Sequence, residues 1–348
     1  MAPETAIGMG RISQHFPSNG TISIYPNKFD SNTISLESAG DPENLIDISS
    51  VKTVWCRRLV SRNLDYSHVH EDDKDHVQDE CHAYVTGLWY FVEQCTGDTV
   101  RWVNPLGAQT TARNKAVQLR IANSLGLKVP ETLMSNNPEK IRYFYEQHKG
   151  VVVFKPFYQG IWGEAGQDKY QITTKLEAEH LDREDAIRLC PGIYQVQVEK
   201  EFELRVVVMG DRLIAAKLDS QISEHTGLDW RWDAHFQKMP IEPYTLNTEI
   251  QEKILTFMAD LGISFGSLDL IVTKNNEIVF LEVNEQGQFL FLEERCPELD
   301  ILNEFCKFLS SDKSDSAHGK CRSYADCKLS EDYADFMVEV NRGDTRKC

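Results

Sequence analysis

The sequence predicts an α/β chain of more than one domain, on three observations. Short apolar runs of strand character, such as residues 150–156 and 267–272, alternate with stretches of helical periodicity such as 111–125 and 249–261. No internal repeat is found. A chain of 348 residues with 41% apolar content can bury more than one core.

Composition narrows the function. A net charge of −17 argues against broad binding to nucleic acid or an anionic membrane, because the long-range field repels both. No basic region followed by an apolar core opens the chain, and no run approaches about 18 apolar residues. A cytoplasmic protein without signal peptide or membrane span is expected. Nine cysteines without dense spacing read as free thiols. His318, Cys321 and Cys327 would need Cys348 to complete a four-ligand zinc set.

In chain order, residues 1–50 hold an alternating run at 21–25 and a Ser/Asn/Asp/Gly-rich stretch, with no strong helix. Residues 51–59 (VKTVWCRRL) read as a strand ending in paired arginines, and 72–80 as an acidic helix start running into the apolar 84–95. Residues 102–105 close this first domain. Residues 111–125 read as an amphipathic helix with Lys115 near its first turn. Residues 150–156 (GVVVFKP) form an apolar strand carrying one cation, Lys155, before a loop at 158–166 that contains Gly160. Strand, lysine and glycine loop is a phosphate-facing order, since glycine lets backbone N–H groups approach closely. A surface loop after an edge strand reads the same way, and neither a Walker motif nor G-x-G-x-x-G occurs.

A helix near 179–189 precedes a strand at 193–198, whose terminal backbone could read an adenine edge. The strand 202–209 puts Glu203 and Arg205 on one face, and Asp229 with Arg231 repeats that spacing. Each pair suits ribose, metal or phosphate, and equally a salt-bridged strand face. The helix 249–261 leads into residues 265–294, where two apolar strands flank a polar turn at 274–276. Asp269 lies on the first strand. Glu282 and Asn284, two apart on the second, share a face while Val283 points into the core. Three oxygen donors on neighbouring strands suit Mg²⁺, and a carboxylate interrupting an apolar strand is costly to bury without a cation. An amphipathic helix at 298–309 follows, then a polar tail with a short helix at 330–341.

Taken together, the order of these residues resembles the ATP-grasp ligases and, within them, the microviridin-type (graspetide) maturases that install side-chain ester or amide crosslinks in ribosomal peptides. The resemblance rests on 54–58 (VWCRR), 102–105, Asn114-Lys115 with Gln118-Leu119, 126–133 (GLKVPETL), Lys155-Pro156 and 194–210 (YQVQVEKEFELRVVVMG). Residues 217–221 with 229–231, then FGSLDLIV and FLEVNEQGQFLFLEE, complete it. It implies an α/β (α+β) ATP-grasp fold with a reduced pre-ATP-grasp domain at 1–110. The central subdomain would cover 111–193, with the phosphate lysines and a lid loop. The C-terminal subdomain would cover 194–309, with the metal site, and a polar tail 310–348.

It implies ATP and two Mg²⁺ ions. Lys115 and Lys155 would hold the α- and β-phosphates, with Gly160 in the lid. Gln195, Val196, Gln197 and Val198 would face the adenine, Glu203 the ribose or second metal. Arg205 and Arg231 would face the transferred phosphate, and Asp269, Glu282 and Asn284 would bind metal. The substrate would be a precursor peptide whose leader docks on the central domain, and the assembly a homodimer. The chain departs from the pattern in several places. It lacks the strand and helix that precede the region resembled by residues 11–16, so its first domain is expected to be pared down or to lack its leading part. Val196 replaces a common acidic residue, Glu285 a common proline, and Phe289 and Phe291 common tryptophans. Two rival readings are a ligase adding free amino acids to a protein or small acceptor, and an ATP- or peptide-binding relative without turnover.

Overall fold

The computed structural model describes residues 35–38, 41–47, 51–57, 67–158, 161–162, 169–222 and 239–310. The alternating run at 21–25, the tail helix at 330–341 and the group His318, Cys321, Cys327 and Cys348 lie outside them. The chain divides into two compact units, breaking after Thr110 and before Phe305.

In the first unit, β1 (Ser35–Ser38) and β2 (Asp41–Asp47) pair antiparallel. β3 (Thr53–Trp55) runs parallel to β4 (Arg101–Val103), and the 23-residue α1 (Lys74–Thr96) links them. Within the described part of the predicted strand 51–59, only these three residues find ladder partners. The acidic 72–80 stretch does open a helix, after a 3-10 turn at Glu71–Asp73. Leu88, Val92, Val100, Trp102 and Leu106 make this unit's core. The buried Trp102 indole donates to Thr96 Oγ1 at 3.0 Å, so its ring can be buried without orphaning its N–H.

The second unit carries two antiparallel sheets. Where the sequence predicts one helix over 111–125 the structure is broken: α2 (Leu106–Ala112), which runs across the division after Thr110, stops and α3 (Lys115–Ser124) begins anew. Asn114 is the cause. Its side chain accepts from the N–H groups of Ala116 and Val117, which caps a fresh helix and leaves Lys115 as its first residue.

The smaller sheet has the order β5-β10-β6-β9, from β5 (Thr132–Ser135), β6 (Val152–Lys155), β9 (Thr174–Lys175) and β10 (Gly192–Val196). Between β6 and β9, β7 (Ile161–Trp162) pairs with β8 (Lys169–Tyr170). The helix α4 (Pro138–Gln147) covers this sheet and is absent from the sequence reading. Its signal was present: Asn137 caps it, Pro138 opens it, and Ile141 and Phe144 recur at helical spacing. They pack with Val152, Leu176, Leu181 and Tyr194. The predicted helix 179–189 is a 3-10 turn over Ala178–Asp182 followed by α5 (Glu184–Leu189).

The larger sheet has the order β13-β12-β11-β14-β15. Its strands are β11 (Phe202–Met209), β12 (Arg212–Leu218), β13 (Ile241–Tyr244), β14 (Phe265–Val272) and β15 (Ile278–Asn284). The sequence reading contains neither β12 nor β13 as strands. α6 (Thr248–Asp260) buries Ile254, Phe257 and Met258, spaced for one helical face, and Phe257 meets Phe280 of β15 at 4.9 Å. α7 (Leu290–Arg295) follows, then α8 (Ile301–Ser310). α8 starts later than the predicted residue 298 because a 3-10 turn over Pro297–Leu299 ends in left-handed Asp300 (φ 46°). Among the described residues no helix is long and apolar enough to cross a membrane.

Candidate functional site

The β14–β15 hairpin sets the site. Asp269 is the cross-strand partner of Glu282, and Ser267 that of Asn284. On the other side of β14, Arg205 of β11 stands opposite Asp269. Cross-strand partners share a face, so Arg205, Asp269 and Glu282 line up across three strands. A bulge makes this arrangement compatible with a core. The register slips between Asp269 and Leu270, so that Leu270 faces Phe280 and Leu281 is passed over. In a regular strand without the bulge, Phe280 and Glu282, two apart, would share a face. With it, Phe280 and Val283 enter the core while Glu282 stays on the site face.

Three carboxylates on that face have close cations. Arg205 Nη1 lies 2.6 Å from Asp269 Oδ1, and Arg205 Nη2 donates to the Gln288 carbonyl at 3.1 Å. Lys115 Nζ lies 2.6 Å from Glu282 Oε2. Lys200 Nζ lies 2.5 Å from Glu203 Oε1. Burial pushes the Glu203 carboxyl above the usual glutamate range; Lys200 and a hydrogen bond with Ser220 pull it back, and Asp269 adds to the rise. Glu203 and Arg205 therefore share a face, as the spacing predicts, but pair with different partners. Lys200, three residues before Glu203, was missed by the sequence reading.

The start of α3 is fastened to the end of β15. Gln118 Nε2 donates to the Val283 carbonyl at 3.0 Å, and its Oε1 accepts from Val283 N–H at 3.0 Å. Arg113 Nε lies 2.5 Å from Glu285 Oε1. Asn284 Oδ1 accepts from the N–H groups of Gln286 and Gly287, both at 3.1 Å, so it closes the turn after β15 as well as facing the site. Gly287 has a φ of 49° there, and a Cβ on it would lie 3.1 Å from the Phe265 ring.

On the smaller sheet, Lys155 Nζ donates to Gln195 Oε1 at 2.7 Å, and Gln195 Nε2 to Thr132 Oγ1 at 2.9 Å. The predicted hinge strand 193–198 ends at Val196. The N–H groups of Val196 and Gln197 already bond to the carbonyls of Glu131 and Val151. An adenine edge would therefore be read by carbonyls or from Val198 onward. Gly160, Asp229 and Arg231 lie outside the described residues, as does most of the loop 158–166.

The donor set suits a hard cation. Among the described residues no group of three or more His, Cys, Asp or Glu side chains could hold a metal by itself. Asp269 and Glu282, with Asn284 two residues on along β15, could instead supply the one or two carboxylates that Mg²⁺ takes when phosphates and water fill its shell.

No family profile and no curated protein matches the sequence. Solved structures do match. A RiPP-associated ATP-grasp ligase of Chryseobacterium gregarium, in complex with ADP and a leader and core peptide, has a TM-score of 0.71 at 24% identity, covering 89% of this chain and 90% of that one. The macrocyclase MdnC of Microcystis aeruginosa, bound with precursor peptide MdnA, has a TM-score of 0.69 at 25% identity, over 85% and 88%. The macrocyclase MdnB of the same organism has a TM-score of 0.61 at 29% identity, over 77% and 80%. The mixed α/β chain thus follows these proteins over most of its length, with the ATP-grasp ligase fold and a similarity to the macrocyclases of ribosomal peptides.

Proposed function

We propose that the protein is an ATP-dependent, ADP-forming ligase that crosslinks side chains within a ribosomal precursor peptide. The observation that carries the chemistry is the line Arg205–Asp269–Glu282–Lys115, in which cations suited to phosphate meet carboxylates suited to Mg²⁺. In this reading an acidic side chain of the peptide attacks the γ-phosphate of ATP, giving an acyl phosphate and ADP. A hydroxyl or amine of the same peptide then displaces phosphate, closing an ester or amide.

Such a reaction needs positioning and charge neutralisation more than a protein nucleophile. Lys115 and Lys155 hold phosphates, and Gln195 orients Lys155. Arg205, fixed by Asp269 and the Gln288 carbonyl, and Arg231 face the transferred group. The hinge at residues 195–198 takes the adenine, and Glu203 the ribose or a metal. Asp269, Glu282 and Asn284 would hold Mg²⁺, two ions in this assignment, which would supply charge neutralisation at the phosphates. The loop 158–166, Gly160 included, keeps water from the acyl phosphate. The domains follow the division at 110, 193 and 309, the leader docks on the central subdomain, and the enzyme works in the cytoplasm as a homodimer.

The test is ADP release with Mg²⁺, from the purified protein alone and then with the short acidic peptide encoded nearest its gene, read with the peptide's mass. Peptide-dependent ADP and a loss of one water per crosslink are expected. ADP without a dehydrated peptide would point instead to an amino-acid ligase, and no ADP to a binding protein.

A further inference from the structure

The three acid–cation pairs on the site face are not equivalent. Lys200 with Glu203, and Arg205, have side chains less than a tenth exposed, and Arg205 is held a second time by the Gln288 carbonyl. Lys115 and Glu282 are 26% and 24% exposed, and they come from different elements, the first residue of α3 and the second-to-last position but one of β15. Both backbones are already fixed, α3 through Gln118 and β15 through the hairpin, so this pair can open by side-chain rotation alone. It is the most exposed of the three pairs.

On the nucleotide reading above, which this inference rests on, its members have opposite appointments. Lys115 is to meet phosphate and Glu282 the metal. Each must first release the other. A divalent cation arriving alone on Glu282 leaves the Lys115 ammonium facing it, and a nucleotide arriving alone on Lys115 leaves the Glu282 carboxylate facing phosphate. Arriving together, the two ligands exchange partners with the pair and leave no like charges in contact. We infer that Lys115–Glu282 is an exchangeable ion pair that makes the site accept nucleotide and divalent cation together and reject either one alone.

The pair thereby couples two binding equilibria, and coupling is reciprocal. Removing the ammonium should help the metal alone, and removing the carboxylate's charge should help the nucleotide alone. These are gains of affinity, which neither a purely structural role nor simple phosphate binding by Lys115 produces.

The experiment is calorimetric titration of the full chain with Mn²⁺ alone, with a non-hydrolysable ATP analogue in EDTA, and with both. Wild type, Lys115→Met, Lys115→Arg and Glu282→Gln are compared, with thermal melts to confirm folding. Lys115→Met should bind Mn²⁺ alone about tenfold tighter than wild type, within the usual range of coupling between sites, and the metal–analogue mixture more weakly. Lys115→Arg keeps a cation and should stay near wild type for Mn²⁺ alone. Glu282→Gln should bind the metal-free analogue about tenfold tighter. If wild type binds the mixture but neither variant gains affinity, the exchange is wrong and the nucleotide site stands. If wild type binds neither ligand singly nor the mixture, the nucleotide reading fails and the exchange with it.

Discussion

Gln118 and Val283 are joined in both directions: the buried side-chain amide of one donates to and accepts from the backbone of the other at 3.0 Å. The amide thus does for β15 what a neighbouring strand would do, and it does so from a helix. Gln118→Leu should fold but lose about 2–3 kcal/mol, since a buried N–H and a buried carbonyl lose their partner together. Gln118→Glu keeps the acceptor and should lose less. Chemical denaturation of the two variants checks the order.

Arg205 is used as a fork, with one arm on Asp269 and the other on the Gln288 carbonyl. Lysine has one charged tip and cannot reproduce both bonds at once. Arg205→Lys should leave the melting temperature within a few degrees of wild type yet lower ADP release at least about a hundredfold, the scale of losing one preorganised charge contact. Near-normal turnover would show that charge alone suffices at this position.

Glu203 gives a dependence on pH with a definite sign. Its folded-state pKa is raised by burial, so the stability it contributes is present below the ordinary glutamate pKa and is lost as pH rises through the folded value. Lys200 opposes that rise, and Ser220 also helps lower it, while Asp269 adds to it. Lys200→Met removes the largest lowering influence and should push the Glu203 carboxyl up further. Nucleotide binding, if it uses ionised Glu203, should then begin at higher pH than in wild type. Calorimetry between pH 5 and 9 with Mg²⁺ would show a shifted midpoint, and an unshifted one would remove Glu203 from the binding step.

Gly287 follows the Asn284 turn with a φ of 49°, and a Cβ there would press on Phe265. Gly287→Ala should cost about 1–2 kcal/mol from the left-handed backbone alone. Because the Gly287 N–H also anchors Asn284 Oδ1, the same change should raise the Mg²⁺ concentration needed for half-maximal ADP release. Magnesium titrations on a variant shown to be folded separate the two effects.

Much of the fold was legible where one short stretch carries its own pattern. The unbroken apolar run of β11, with Glu203 and Arg205 two apart, and the β14–β15 hairpin with its polar turn needed no distant partner to be read. Lys115 and Glu282 are 167 residues apart; the resemblance gave each a role, but nothing in the sequence paired them. β12 and β13 were missed because their pattern is weak until β11 pairs with β12 and β12 with β13. The split between α2 and α3 turns on one capping side chain, Asn114, inside a helical pattern that continues across it. Lys200 sits in a charged VEKE stretch with no local pattern to mark it, and only the folded chain buries its ammonium against Glu203.

The slip at Leu281 gives β15 a phase as well as a composition. Because Leu281 is the residue the ladder passes over, its deletion would leave Asp269 opposite Glu282 and Leu270 opposite Phe280, so the strand would lose a kink and keep its facing. The hairpin therefore carries a spare residue at a point where it can shorten without turning Glu282 from the site, and libraries built on it can vary length there as well as identity along the strand.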